Sequence, residues 1–504
     1  MSNSMMNAAA GMLLLVTGFC CSIVIARLLG PEANGTIAFA LWVAATGALV
    51  AEIGTGILLM RLLPQLKARG LTEADRRGFA AYLALPVVMS TMAVTLLYGA
   101  LSWEAEHLHW IETATDIVVL TGILLFIQSI GSFSKNYLIG EQRLGTLFRF
   151  TLVSSLLQLS LVVAGALTFD IEGALIGYIA GQIIQFGYTL RVVVTPRNNA
   201  GYDAKFLATT SVVLFFEFIL SAVFLSRPEL FFLQQFRSVE EVGYYAVALS
   251  LANLALQLPV QLTGSLLPFY AEQQEISDPM AQAGTFAAII RSFAYITFPL
   301  CFGLAAISGP LVTTIYGEAF APSGLLVAIL AAGSPAYVFI QLTTQYLYSM
   351  DRVKARFLIS ILGATIMVVG CLVAVPYWGG TGAAIVRAVV FAVMAILLLA
   401  QMRFARNAGP LVASVAKIAV SAAACGGVAF ALTEAFPNAL GLIAAVLAGA
   451  VTYGVMLRLL RAVPSGDALV IDGLLARLPT AAGRAMRRFF ALIAPVALPQ
   501  VAGE

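Results

Sequence analysis

Apolar runs of about 20 residues recur from one end of this 504-residue chain to the other, and each is long enough to cross a hydrocarbon core of ~30 Å as a helix. Only 11% of the residues are charged, 61% are hydrophobic, and the mean hydropathy is +0.95. A soluble chain usually carries about a quarter charged residues. The pattern therefore predicts an all-α polytopic membrane protein with about fourteen transmembrane helices. The spans fall near 5–28, 35–62, 79–101, 115–139, 147–168, 173–194, 206–226, 242–269, 285–308, 321–349, 357–376, 382–402, 412–433 and 439–460. The seventh is the least regular, because Ser226-Arg-Pro-Glu229 interrupts an apolar run that continues to Phe236. The N-terminus lacks the basic start and small-residue cleavage site of a signal peptide, so the first run is expected to stay as a span.

Lysine and arginine cluster in alternate connections. Lys67, Arg69, Arg76 and Arg77 follow the second span, Lys135, Arg143 and Arg149 flank the next such turn, and Arg352, Lys354 and Arg356 a later one. The intervening connection from Ser102 to Thr113 carries three glutamates and no base. With both termini cytoplasmic, all 28 basic residues except Arg27, Arg227, Arg237 and Arg387 lie on the cytoplasmic side, as the positive-inside rule requires. The net charge of +3 implies no nucleic-acid partner. Arg477, Arg484, Arg487 and Arg488 beside Phe489 and Phe490 predict a basic amphipathic tail on anionic inner-leaflet lipid.

The chain also repeats itself. Glu32-Ala-Asn-Gly-Thr-Ile-Ala-Phe-Ala40 aligns with Glu240-Glu-Val-Gly-Tyr-Tyr-Ala-Val-Ala248 at an offset of 208. Tyr137-Leu138, Arg143 and Phe148 match Tyr346-Leu347, Arg352 and Phe357 at 209, and Gly173-Ala174 and Ile176 match Gly382-Ala383 and Ile385 at 209. The predicted organisation is an N-lobe of helices 1–6 over residues 1–205 and a duplicated C-lobe of helices 7–12 over 206–410. Two extra helices over 411–461 and the tail over 462–504 follow. Six helices per unit make the repeats parallel, with a substrate site expected between them.

Ionisable residues within a span cost ~2.5–3.5 kcal/mol on insertion scales and usually face a cavity or a partner. Glu52 and Glu217 lie near the middle of spans 2 and 7, and Arg387 one to two turns inside span 12. Arg27 and Arg61 sit at span ends, where snorkelling is the structural alternative to facing the lumen. Lys135 and Arg149 are read as cytoplasmic anchors. Neutral polar residues recur in helical register: Asn253, Gln257 and Gln261; Gln341 and Gln345; Gln182 and Gln185. Such stripes either line a polar path for sugar hydroxyls or hold helices together. Pro259, Pro299 and Pro335 interrupt their helices. His107 and His109, the two histidines, suit a membrane interface, and the five cysteines lie in apolar runs as packing residues. No catalytic constellation, Walker loop or metal-ligand cluster emerges, so the chain reads as a non-enzyme without a cofactor, and uphill transport would draw on an ion gradient or on substrate supply.

Ala26-Arg-Leu-Leu-Gly-Pro-Glu-Ala-Asn-Gly35, Glu52-Ile-Gly-Thr-Gly56, Ser238-Val-Glu-Glu-Val-Gly-Tyr-Tyr-Ala246, Ile315-Tyr-Gly-Glu-Ala-Phe320 and Gly379-Gly-Thr-Gly-Ala-Ala384 resemble, in order and spacing, the motifs of Wzx-type polysaccharide flippases of the MOP exporter superfamily. The resemblance implies two six-helix lobes around a cationic cavity. It also implies translocation of an undecaprenyl-diphosphate-linked oligosaccharide to the periplasmic leaflet of the bacterial inner membrane by alternating access, coupled to protons or sodium. On that reading Arg27, Arg387 and Arg61 hold the diphosphate and Glu52 or Glu217 senses the ion. Membrane lipids, a polysaccharide polymerase and glycosyltransferases are then the expected partners. A lipid II flippase, a MATE-type exporter and, from another class, a polysaccharide polymerase or ligase are the alternatives; the last would be expected to have a large periplasmic loop with catalytic Arg or His. The family often has an Asp near Glu229, where this chain has Arg227-Pro-Glu229.

Overall fold

The computed structural model describes residues 3–108, 115–225, 227–263, 279–350, 352–402 and 409–464, with Leu266 and Tyr270. The basic tail and His109 lie outside the described residues, as does the His107 side chain. Everything regular among the described residues is helical, as expected where lipid offers the backbone no hydrogen-bond partner. The helices are α1 (Asn3–Ala51), α2 (Thr55–Ala68), α3 (Glu73–Leu108), α4 (Thr115–Gly140), α5 (Leu144–Thr168), α6 (Asp170–Val193) and α7 (Ala204–Phe224). They continue with α8 (Glu229–Phe236), α9 (Val239–Thr263), α10 (Pro279–Tyr316), α11 (Ser323–Ser349), α12 (Val353–Ala400), α13 (Gly409–Ala435) and α14 (Ala439–Leu459).

Nine of the described helices are long and apolar enough to cross a membrane. Two of them, with apolar stretches of 43 and 47 residues, would extend about 65 and 70 Å at 1.5 Å per residue, more than twice the hydrocarbon thickness. Each breaks where the sequence separates two spans. Gly30 (φ 81) reverses α1 just before Pro31, and Gly379 (φ 52) does the same in α12. Positive φ is open to glycine at little cost, and Pro31 has no N–H to continue the ladder. Counting each as two crossings and adding α6, α7 and α9, which are 24, 21 and 25 residues long, yields the fourteen spans predicted. One break is unannounced by hydropathy: span 2 is discontinuous, with Ile53 (φ 48) and Gly54 (φ 70) separating α1 from α2.

The duplication has structural counterparts. Asp170 (φ 49) turns the chain between α5 and α6, and Gly379, 209 residues later, does so within α12. Gly165 and Gly173 press backbone to backbone across the first of these turns, and a Cβ added to Gly382 would come 2.6 Å from the Ala374 carbonyl oxygen across the second. The Thr55 hydroxyl donates to the Glu52 carbonyl and the Thr263 hydroxyl to the Val260 carbonyl, both at 2.7 Å and at positions 208 apart.

By contacts the chain forms two compact units, Met1–Val247 with Ala364–Ala383, and Ala248–Gly363 with Ala384–Glu504. In the first, Leu58, Leu59, Leu62, Leu63 and Leu66 of α2 bury against Phe79 and Leu83 of α3 and Phe133 and Tyr137 of α4. Small residues let helices approach: Gly177 meets the Val162 backbone and Gly181 the Gln158 side chain. In the second unit α13 and α14 pack on α10 through Tyr295, Phe298, Ile418, Cys425 and Tyr453. The Tyr295 hydroxyl donates to the Ala462 carbonyl at 3.0 Å and the Tyr453 hydroxyl to the Tyr295 carbonyl at 2.9 Å. All five cysteines are free thiols, four of them buried.

The basic connections of the first unit are held by ion pairs. Arg76 donates through Nε and Nη2 to both oxygens of Glu141 at 2.8 and 3.0 Å, and Arg143 pairs with Glu73. Side-chain exposure of the Arg76–Glu141 pair is 11% and 2%, so removing one partner strands a buried charge. Glu141→Ala is expected to lower unfolding stability by about 3 kcal/mol, read as a lower thermal midpoint in detergent. Glu73→Ala, whose partner is more exposed, is expected to cost under ~1 kcal/mol.

Candidate functional site

The break in span 2 places a carboxylate inside the membrane-spanning region. After Ala51 the ladder stops, the Thr55 N–H donates to the Glu52 carbonyl at 3.0 Å, and α2 starts anew. Broken helices in membranes persist where their freed backbone groups line a cavity or meet protein. Here the half-buried Glu52 side chain turns toward α4, where Asn136 Nδ2 donates to Oε1 at 3.2 Å. Ser132, one turn before Asn136, donates its hydroxyl to the Ser129 carbonyl at 2.8 Å, and the charge of Lys135 acts on the carboxylate. Gly56 leaves the room: a Cβ there would collide with Asn136 Nδ2 and come 2.9 Å from Glu52 Oε2. The repeat mate of Glu52 is Val260, so the acid belongs to one half alone.

Asn136 was not singled out in the sequence as a site residue, yet a signal was there. Gln128, Ser132 and Asn136 follow one another at i, i+4 and i+8 on α4, and shifting the last two by 209 lands on Gln341 and Gln345. The polar stripe recognised in the second half has a mate in the first. Lys135, read as a cytoplasmic anchor, is exposed and close enough to Glu52 to act on its charge.

The second cluster lies within the other unit. Arg387 is half-buried on α12, with its guanidinium carbon 4.8 Å from the centroid of Phe391, one turn on. The Phe391 ring lies 5.2 Å from that of Tyr337 on α11, and the Tyr337 hydroxyl accepts from Gln341 Nε2 at 2.7 Å. A cation, an aromatic platform and an amide stripe are thereby joined in one unit; a cation over an aromatic face gains ~0.5–2 kcal/mol depending on desolvation. Gln345, one turn beyond Gln341, is half-buried.

The remaining candidates are more scattered. Arg27 is exposed on α1, three residues before the Gly30 reversal, and Arg61 is exposed on α2. Asn253 and Gln257 are half-buried on α9; Gln261 lies at the end of that helix and Glu217 on α7, and both side chains lie outside the described residues. Gln182 and Gln185 are half-buried on α6, and Gln185 Oε1 accepts from Ser154 of α5 at 3.5 Å, an interhelical contact. Glu229, at the start of α8, is fully buried.

A family model described as "Polysaccharide biosynthesis protein" matches residues 24–325. No curated protein matches the sequence. Among solved structures, the lipid II flippase MurJ in an inward closed conformation is similar with a TM-score of 0.71 at 14% identity, covering 90% of this chain and 97% of MurJ. An inward-facing multidrug resistance MATE family transporter of the MOP superfamily is similar with a TM-score of 0.62 at 14% identity, covering 79% and 95%. A Vibrio cholerae MATE transporter gives 0.55 at 16% identity, covering 81% and 96%. These are likenesses of fold, and the fold is that of MOP superfamily transporters.

Proposed function

We propose that this chain, which belongs to the polysaccharide biosynthesis protein family, is a flippase that carries a polyprenyl-diphosphate-linked oligosaccharide from the cytoplasmic to the periplasmic leaflet for exopolysaccharide, capsule or O-antigen synthesis. The family match laid over a transporter-type fold is the observation that supports this best. The duplicated halves, residues 1–205 and 206–410, act as rocking units, and the basic connections mark the cytoplasmic side of the inner membrane, with both termini there. Arg387 and Arg27, with Arg61, bind the diphosphate, since a guanidinium matches phosphate oxygens two at a time. The amide stripes, including Gln341 and Gln345, give the glycan a polar path, while the polyprenyl tail stays in lipid.

Glu52 or Glu217 is the coupling carboxylate on this reading, and Glu52 is the one whose side-chain surroundings are described. A carboxylate at a helix break, already held by an amide and near an ammonium group, can exchange a proton or sodium ion without losing all its partners. Glu52→Gln is expected to leave flipping in reconstituted vesicles insensitive to an imposed pH or sodium gradient while retaining gradient-independent flipping. Unchanged gradient sensitivity in both Glu52→Gln and Glu217→Gln removes the coupling role. A second reading, a lipid II flippase, is favoured by one observation, the high coverage of both chains in the MurJ likeness. Vesicles loaded with lipid II or with a polyprenyl-diphosphate oligosaccharide separate the two, and transport of neither rejects the flippase reading.

A further inference from the structure

The first unit contains a cleft that the diphosphate reading leaves unused. It lies between the second half of α1, the facing ends of α3 and α4, and the start of α9, with α8 closing one wall, and it encloses about 490 Å³ including its mouth. None of its lining residues is Lys, Arg or His, so nothing in it favours a phosphate. Its polar lining includes acceptors from three helices. Gln234 Oε1 is buried and no donor reaches it among the described residues. The Thr36 hydroxyl donates to the Glu32 carbonyl at 3.2 Å and the Thr121 hydroxyl to the Ile117 carbonyl at 2.7 Å, so each has spent its proton and offers lone pairs. Glu32 is exposed. Phe39 and Tyr98 supply aromatic surface.

A buried acceptor without a donor is destabilising, and a ligand bringing hydroxyls relieves that cost. We infer that this cleft is a carbohydrate subsite that takes one neutral pyranose ring of the carried glycan. Ring hydroxyls would donate to Gln234, Thr36 and Thr121, and the apolar face of the ring would lie against Phe39 or Tyr98. An ammonium headgroup also donates hydrogen bonds, but the one carboxylate lining the cleft is the exposed Glu32, and the inner acceptors are neutral and come from three helices. That distribution suits spread hydroxyls better than a single point charge. The inference rests on the reading of the chain as a glycan carrier.

A reporter is built in, because Trp42 stacks on Phe39 at 5.6 Å and lies 6.2 Å from Phe231, three residues before Gln234. With Trp103, Trp110 and Trp378 replaced by Phe, and the protein in a detergent without a sugar headgroup, Trp42 fluorescence is titrated with methyl glucoside, N-acetylglucosamine, ethanolamine and inorganic phosphate. A saturable change with at least one of the two sugars, weakened about tenfold by Gln234→Leu and by Thr36→Val as one hydrogen bond is lost, supports the subsite. No saturable response to either sugar, a response to ethanolamine or phosphate instead, or affinities unchanged in both variants overturns it. Flipping by the unmodified protein is measured alongside. Flipping without sugar binding overturns the subsite and leaves the carrier reading intact, whereas sugar binding sensitive to Gln234→Leu without any flipping rejects the carrier reading and leaves the subsite.

Discussion

Replacing Gly35 with valine is expected to abolish transport and to lower the yield of folded protein severely, while Gly18→Ala on the same helix is expected to be neutral. The difference lies in what each Cβ would meet. Around Gly18 there is nothing within 4 Å, whereas a Cβ on Gly35 would collide with the Val239 carbonyl oxygen and come 2.9 Å from the Gly243 nitrogen. A Cβ on Gly243 would reciprocally collide with the Pro31 carbonyl oxygen and come 3.0 Å from the Gly35 nitrogen. Pro31 and Gly35 are the repeat mates of Val239 and Gly243, so α1 and α9 cross here on equivalent positions of the two halves. The crossing is fastened by Asn34, whose Nδ2 donates to the Gly243 carbonyl at 3.1 Å while the residue is 5% exposed.

Overpacking against a side chain costs about 1–3 kcal/mol because the neighbour can rotate away. Here the neighbours are main-chain atoms of a helix, which move only if the whole segment moves. Gly35→Ala is therefore expected to cost at least that much and Gly35→Val more, with Gly243→Ala as the reciprocal test. Thermal unfolding in detergent and flipping rate in vesicles are the readouts. A Gly35→Ala variant as stable and active as Gly18→Ala would mean that α1 and α9 do not meet here.

The same crossing shows what could be read from residues alone. The echo between Glu32–Ala40 and Glu240–Ala248 pointed to a duplication, because equal spacing survives in sequence. That the two echoing segments touch one another could not be read, since a shared offset says which residues are equivalent and nothing about which are adjacent. Spans were legible because lipid forces about 20 apolar residues per crossing. The break at Ile53-Gly54 was not, because a glycine in a membrane helix usually signals close packing, and only the left-handed backbone there marks an interruption. The turn at Gly379 was legible as a span boundary. Its anchoring was hidden: Arg237 Nε donates to Glu241 Oε1 at 2.9 Å, and Glu241 Oε2 accepts the Gly380 N–H at 3.1 Å. Arg237 had counted only as an exception to the charge asymmetry, and a contact between residues 139 apart in the chain leaves no local pattern.

Arg387→Ala is expected to reduce flipping by roughly 10–100-fold, the factor that follows from losing one or two charge-assisted hydrogen bonds of about 1.5–3 kcal/mol. The expectation depends on the half-buried guanidinium being aimed by its platform: Phe391 lies beneath it, Tyr337 beside Phe391, and Gln341 is bonded to Tyr337. Lysine keeps the charge but has neither the flat face that stacks on Phe391 nor the paired donors that match two phosphate oxygens. Arg387→Lys should therefore recover only part of the rate. Phe391→Leu leaves the arginine and removes the ring, and its expected loss is smaller, about three- to tenfold, in line with a cation–π contact of ~0.5–2 kcal/mol. Binding of a soluble polyprenyl diphosphate analogue should weaken in the same order, from Phe391→Leu through Arg387→Lys to Arg387→Ala, and more steeply at low ionic strength. Equal rates for Arg387→Ala and the unmodified protein would take Arg387 out of substrate binding. Equal losses for Arg387→Lys and Arg387→Ala would mean that charge alone contributes nothing without the planar, stacked geometry.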